Sequence, residues 1–87
     1  MVEKLLEEAN ELVQSFANRA ARVDLIALLS KVNDSFTGKN QDGEDILISA
    51  NESGLVLRTY QHNGWIRINY YDECGFECEE SFEGRWK

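Results

Sequence analysis

The chain has 87 residues, of which 16 are acidic and 9 are basic, so its net charge is -7 at pH 7. A chain of this length forms one core, and we expect a single domain over residues 1–87. The excess of carboxylates repels phosphate backbones and anionic lipids, which disfavours direct nucleic-acid binding and membrane binding. The N-terminus has no basic-then-apolar signal region, and no apolar run approaches the roughly 20 residues of a membrane helix. We therefore expect a cytoplasmic protein.

Residues 2–32 have the pattern of an amphipathic helix, without an interrupting Gly or Pro. Their first turns carry Glu3, Glu7 and Glu8, the charge that the helix dipole favours at an N-terminus. Apolar residues recur at spacings of three and four, which predicts one buried face. These residues are Val2, Leu5, Ala9, Leu12, Phe16, Ala20, Val23 and Ala27.

A second apolar stripe lies in the C-terminal half of the helical segment. Its centre is rotated by roughly 150° from the first stripe, at about 100° per residue. Either the helix breaks near Asn18 or Asp24, which are both competent N-caps, or one helix spans about 45 Å and overhangs a globule about 30 Å across. An overhanging helix would need a partner, so the second stripe is a candidate homodimer interface. It consists of Leu25, Leu28, Leu29 and Val32.

Residues 33–45 are rich in turn formers and predict a linker, with room for a short strand around Phe36. From Ile46 the apolar period changes to two, which predicts a sheet over residues 46–86. Short connections make neighbouring strands antiparallel. The expected fold is α+β, with one long helix or two helices on one face of a four- to five-stranded antiparallel meander. The strands are predicted at residues 46–50, 54–61, 64–71 and 75–83.

Alternation along the strands predicts which side chains share a face. The face expected to meet Leu55 and Leu57 beneath the helices carries Ile66, Ile68, Tyr70, Phe76, Cys78 and Phe82. The opposite face is expected to carry Arg58, Trp65, Arg67, Tyr71, Glu77, Glu79 and Glu83. One helical layer cannot cover both sides of a sheet, so the opposite face is expected to meet water or a partner.

The sequence contains no catalytic motif: no Gly-rich phosphate loop, no Gly-x-Ser-x-Gly elbow and no His-Glu-x-x-His. His62 is the only histidine, and with Cys74 and Cys78 it falls short of a structural zinc set. Along an extended strand the two cysteines would stand about 13 Å apart, so we expect reduced thiols rather than a disulfide. We predict a protein that is not an enzyme and has no cofactor or metal.

The strongest charge signal is a run of six carboxylates within the twelve residues 72–83, which contain no Lys or Arg. Alternate residues of a strand stand about 7 Å apart, so the carboxylates would form a fixed negative row. Such a row could imitate a phosphate track and occupy a basic groove on another protein. Alternatively, it is a solvated edge whose charges prevent aggregation. The six residues are Asp72, Glu73, Glu77, Glu79, Glu80 and Glu83.

Aromatic and Arg side chains dominate binding hot spots, so three of them join the acidic run as a predicted interface with a basic protein. The predicted partner-binding residues are Trp65, Arg67, Tyr71, Asp72, Glu73, Glu77, Glu79 and Glu83. In size and charge the chain resembles the small acidic proteins that phages and mobile elements use against host defences, including anti-CRISPR and anti-restriction inhibitors, without a shared motif. The resemblance implies an inhibitor that mimics nucleic acid. The alternative is an oligomerising accessory or structural protein that associates through its helix.

Overall fold

In the computed structural model of the chain, residues 2–32 and 35–87 are described, with side chains in the first helix from Glu7 onward. The elements are α1 (Val2–Gln14), α2 (Arg19–Val32), β1 (Phe36–Lys39), β2 (Asp45–Asn51), β3 (Gly54–Tyr60), β4 (Ile66–Asp72) and β5 (Glu77–Glu83). Asn33 and Asp34 of the predicted linker, and the side chains of Val2 and Leu5 in the predicted first stripe, lie outside this description.

The five strands form one sheet in the order β1-β2-β3-β4-β5, with every neighbouring pair antiparallel. The predicted α+β fold, a helical layer on an antiparallel meander, is confirmed. The strand β1 comes in addition to the four strands predicted from residue 46 onward. It lies inside the segment predicted as a linker, at the position where a short strand was expected. Four of its residues pair with β2, from Phe36 opposite Ile48 to Lys39 opposite Asp45.

The helical segment is broken at Asn18, which confirms one of the two alternatives drawn from the sequence. The Ala20 N–H donates to the Asn18 side-chain oxygen at 3.0 Å, and the Ala21 N–H donates to the Asn18 carbonyl at 3.1 Å. Asn18 is therefore the N-cap of α2 and satisfies donors that begin the helix. The break lets two short helices fit a molecule that measures 33 × 27 × 22 Å.

The core lies between the helices and the first three strands. Leu25 and Leu29 of α2 are 0% and 5% exposed, and they belong to the same buried cluster as Ile48 and Leu55 of the sheet. The predicted oligomer interface is therefore wrong for Leu25 and Leu29, because the break turns them into the monomer core. Of the same stripe, Leu28 is half-buried and Val32 is 41% exposed. The break also changes which side of α2 faces the sheet. As a result Ala20 and Ala27 are exposed, although they were predicted to be buried.

The helices cover only part of the sheet. α1 packs on β1, and α2 packs on β2 and β3. Six of the seven β5 residues are exposed, and the remaining one, Ser81, is half-buried. The helical layer thus leaves two surfaces of the sheet uncovered. One is the helix-facing side at β4 and β5, and the other is the whole opposite side.

The predicted face assignment is wrong, because the pairing of β3 with β4 is shifted by one residue from the expected register. Leu55 pairs with Tyr71, and Leu57 pairs with Asn69. Tyr60 pairs with Ile66, so the connection comprises five residues, 61–65, where the predicted strands at 54–61 and 64–71 left a shorter one. A shift by one residue exchanges the two faces of a strand. Ile66, Ile68 and Tyr70 consequently lie on the side away from the helices, while Arg67, Asn69 and Tyr71 lie on the helix side.

Removal of the N-cap tests the break. We expect Asn18→Ala to lower the free energy of unfolding by about 1 kcal/mol, because donors at the start of α2 lose their acceptor. Asn18→Asp keeps the acceptor and serves as the control. Urea denaturation measures both variants, and an Asn18→Ala protein as stable as the control would show that this cap does not define the break.

Candidate interaction surface

The uncovered part of the helix-facing side carries a small cluster of polar and aromatic residues. We call this cluster the acidic ledge; its members are Asn69 of β4 and Glu77, Glu80 and Phe82 of β5, together with Phe76, which precedes β5. Pairing of Tyr71 with Glu77, of Asn69 with Glu80 and of Arg67 with Phe82 places the three β5 residues on the helix side. The ledge is the side of β5 that the helices do not reach.

A β-bulge brings the two ledge carboxylates to the same face. The register of β4 and β5 shifts between Tyr70 and Tyr71, where Tyr70 pairs with Glu79 and Tyr71 pairs with Glu77. An extra residue in one strand changes the alternation beyond it. As a result Glu77 and Glu80 share the helix side, whereas Glu79 is on the other side. Without the bulge, Glu77 and Glu79 would share a face, as the sequence predicted.

One buried amide holds the two carboxylates together. Asn69 is 6% exposed, and its side-chain nitrogen donates to Glu80 at 3.0 Å and to Glu77 at 3.4 Å. Within the described part of the chain the only ion pair is Lys39 with Asp45, so neither ledge carboxylate has a cationic partner. The amide therefore fixes two negative charges side by side at the surface.

Two phenylalanines flank the carboxylates. Phe76 is 55% exposed and Phe82 is 53% exposed, although alternation predicted both in the core. For Phe82 the prediction fails because the helical layer ends before it reaches β5. Phe76, which precedes β5, lies at the border of that layer and stays more than half exposed. The Arg19 guanidinium lies 4.7 Å from the centroid of the Phe76 ring and donates to the Cys74 carbonyl at 2.8 Å. This contact holds Phe76 at the end of the ledge.

Tyr71, predicted as a partner-binding residue, closes the edge of the core. Its ring meets Phe16 edge to face at 5.3 Å, and the Arg22 guanidinium lies 5.0 Å from its centroid. Arg22 also donates to the carbonyls of Gly75 at 2.8 Å and Phe16 at 2.7 Å. Burial raises the pKa of the Tyr71 phenol above 10.0, and the negative charge of Glu77 raises it further. Tyr71 therefore packs against the helices, next to Glu77 of the ledge.

The Asp72 carboxylate is committed to the turn that precedes β5. It accepts hydrogen bonds from the backbone N–H groups of Cys74 and Phe76, both at 2.9 Å. Gly75 in the same turn has a φ of 82°, a conformation that favours glycine. Asp72 thus positions the strand, and Glu73 beside it is exposed.

Of the remaining predicted residues, Glu79, Glu83 and Trp65 lie apart from the ledge, whereas Arg67 lies opposite Phe82 of the ledge. Glu79 and Glu83 are on the side away from the helices, where they pair with Tyr70 and Ile66. Trp65 is 51% exposed at the start of β4. Arg67 is half-buried on the helix side, and its Nε is buried without a hydrogen-bond partner among the residues that the structure describes. The structure therefore divides the predicted interface between both sides of the sheet.

Glu44, a carboxylate with a lowered pKa, has a structural role outside the ledge. A hydrogen bond from the Asn40 side chain at 3.1 Å lowers its pKa, against the effect of desolvation, and the backbone N–H of His62 lowers it further. Glu44 thereby joins the β1–β2 connection to the β3–β4 connection. Its charge is used within the fold.

Both cysteines are free and exposed, so the prediction that Cys78 is buried is wrong. Cys78 is the extra residue of the bulge, and it has no partner on β4. The described residues contain no group of three side chains suited to hold a metal ion. Neither helix, over its described residues, is long and apolar enough to cross a membrane.

Comparisons with protein-family models, curated proteins and solved structures found no match. The geometry of the ledge offers a pair of fixed negative charges between two apolar rings.

The turn before β5 provides a test of the role assigned to Asp72. We expect Asp72→Ala to destabilise the domain by about 1 kcal/mol, because two backbone N–H groups lose their acceptor. Glu73→Ala removes the same charge from the adjacent residue and should leave stability unchanged within about 0.5 kcal/mol. Thermal or urea unfolding compares the two variants, and equal effects would contradict the assignment.

Proposed function

We propose that this chain is a non-catalytic interaction domain that binds a basic surface of a nucleic-acid-handling protein through the acidic ledge. The observation that carries the proposal is the pair of carboxylates, Glu77 and Glu80, held together by the buried Asn69 amide. Neither carboxylate forms an ion pair among the described residues. A Lys or Arg side chain of a partner would supply the missing charge.

The ledge has charges that can speed association and apolar side chains that can slow dissociation. Charges at the rim of an interface steer the encounter of oppositely charged surfaces. Aromatic side chains supply apolar area at low conformational cost, and Phe76 and Phe82 expose more than half of their surface here. Because Asn69 already restrains Glu77 and Glu80, binding loses less side-chain entropy than it would with free glutamates.

A basic groove that binds phosphates is the kind of surface that such a ledge fits. The carboxylates of β5 would take the place of phosphate groups, and the bound domain would exclude nucleic acid from the groove. The domain would then act as an inhibitor of the general kind found among anti-CRISPR and anti-restriction proteins. Its net charge of -7 supports attraction to such a partner at a distance.

The simpler interpretation is that β5 is a charged edge strand that prevents aggregation. That role needs charge alone. It does not need an amide that fixes two carboxylates or phenylalanines that expose apolar surface beside them. The alternative of an oligomer formed through the helical stripe has less support, since Leu25 and Leu29 lie in the core.

Binding kinetics test the proposal against purified basic DNA- and RNA-binding proteins, including nucleases, scored by loss of binding to a labelled duplex. For a protein that the domain inhibits, we expect Glu77→Lys with Glu80→Lys to slow association, most strongly at low salt. Phe82→Ala should mainly speed dissociation, because it removes the apolar anchor.

The matched control is Glu7→Lys with Glu11→Lys, which makes the same change of net charge on exposed residues of α1. If the control weakens inhibition as much as the ledge variant, net charge alone is responsible and the ledge is not the binding site. If no protein of the panel is inhibited at low salt, the proposal of nucleic-acid mimicry fails.

A further inference from the structure

The side of the sheet away from the helices is a second uncovered surface with a different composition. We call it the open face. Three consecutive strands, β3 to β5, supply the half of this face that ends at the β5 edge. The observed strand pairing, not the expected one, places the following residues there. They are Val56, Arg58 and Tyr60 of β3, Ile66, Ile68 and Tyr70 of β4, and Glu79, Ser81 and Glu83 of β5.

The open face is too apolar for a sheet surface that meets only water. In an antiparallel sheet with one solvated side, the residues of that side are predominantly polar. Here β4 contributes Ile66, Ile68 and Tyr70 in a continuous row. Ile68 is only 3% exposed, because side chains of the same face close around it, whereas Ile66 and Tyr70 are half-buried. In the part of the chain that the structure describes, the aromatic cover is Trp86, whose ring meets Tyr60 edge to face at 5.9 Å near one end.

Besides the Lys39–Asp45 ion pair at its β1 side, the open face carries the cation of Arg58 and the carboxylates of Glu79 and Glu83. Arg58 lies opposite Ile68, which lies opposite Ser81. Arg58, Ile68 and Ser81 thus form one row across the three strands. On β5, Glu79 and Glu83 stand on either side of this row, and β5 is about 10 Å from β3. Among the described residues, none of the side chains of Arg58, Glu79 and Glu83 forms an ion pair. These three charges are thus available to a partner.

We propose that the open face binds a second copy of this chain. A two-fold axis parallel to β4 would lay β3 of one copy over β5 of the other, with the sheets about 10 Å apart. Arg58 of each copy then enters between Glu79 and Glu83 of the other, and the apolar rows of the two β4 strands meet at the centre. The same operation satisfies both sets of charges, since a two-fold interface is self-complementary.

This dimer uses a different surface from the acidic ledge and goes beyond the proposed function. The bulge directs Glu79 to the open face and Glu77 to the ledge, so the two interfaces use different carboxylates of one strand. Each copy keeps its ledge free. A dimer would present two ledges to partners that carry more than one basic site.

Sedimentation velocity with charge-exchanged variants tests the proposal. We expect the wild-type chain to be a dimer, and Arg58→Glu to raise the dimer dissociation constant by about a hundredfold. Glu79→Arg with Glu83→Arg should have the same effect. An equimolar mixture of these two variants should form a dimer again, because the new carboxylate of the first variant then meets the two new guanidinium groups of the second, and the unchanged Arg58 of the second meets the unchanged Glu79 and Glu83 of the first.

Recovery in the mixture also shows that the separate variants are folded. The control is Glu77→Arg with Glu80→Arg, which alters the ledge and should remain dimeric. If this control no longer inhibits basic proteins, the result concerns the proposed function of the ledge and does not affect the dimer. A monomeric wild-type chain, or variants whose mixture stays monomeric although both have the wild-type circular dichroism spectrum, would overturn the dimer.

Discussion

The helical layer of this domain is narrower than its sheet. The helices pack on the first three strands, and β5 lies beyond their reach. Its residues must therefore be compatible with water or with a partner. The acidic composition of β5, the exposure of Phe76 and Phe82 and the position of the ledge all follow from this mismatch in width.

The bulge between β4 and β5 determines what the uncovered strand presents. It turns Glu77 and Glu80 to one side of the sheet and Glu79 to the other. Asn69 then fixes the first pair, whereas the open face receives carboxylates without partners. A single irregularity thus gives the two sides of one strand different electrostatic properties. The ledge offers a fixed pair of charges, and the open face offers charges that complement those of its own copy.

Much of the fold could be predicted from the sequence, because it depends on local patterns. The change of period at Ile46 located the sheet, and the capping capacity of Asn18 and Asp24 indicated two places where the helix could break, of which Asn18 is the observed one. Register could not be predicted in the same way. The Asn63-Gly64 pair is typical of a two-residue turn, but the chain closes a longer connection, in which the Gln61 N–H donates to the Trp65 carbonyl at 3.0 Å. This difference of one residue in register reversed the predicted faces of β4.

The candidate surfaces were predicted only in part for the same reason. The acidic run is visible in the sequence: Asp72 ends β4, Glu73 lies in the following turn, and the other members lie on β5. Asn69 gave no signal, because an amide within a strand acquires its role only when the correct register brings Glu77 and Glu80 beside it. Phe76 and Phe82 were predicted to be buried, and both are exposed. Alternation shows which side of the sheet a residue faces, but it does not show how far the helices extend over that side.

The central claim is that the ledge is a specific site rather than one acidic region among several. The most direct measurement is a titration of the isotopically labelled protein with a short arginine-rich peptide, followed by the chemical shifts of its amides. A specific site predicts shifts concentrated at the Asn69 side chain and at Glu77, Glu80 and Phe82. Equal shifts at the exposed glutamates of α1, Glu7, Glu8 and Glu11, would contradict the claim, because the peptide would then respond to net charge alone.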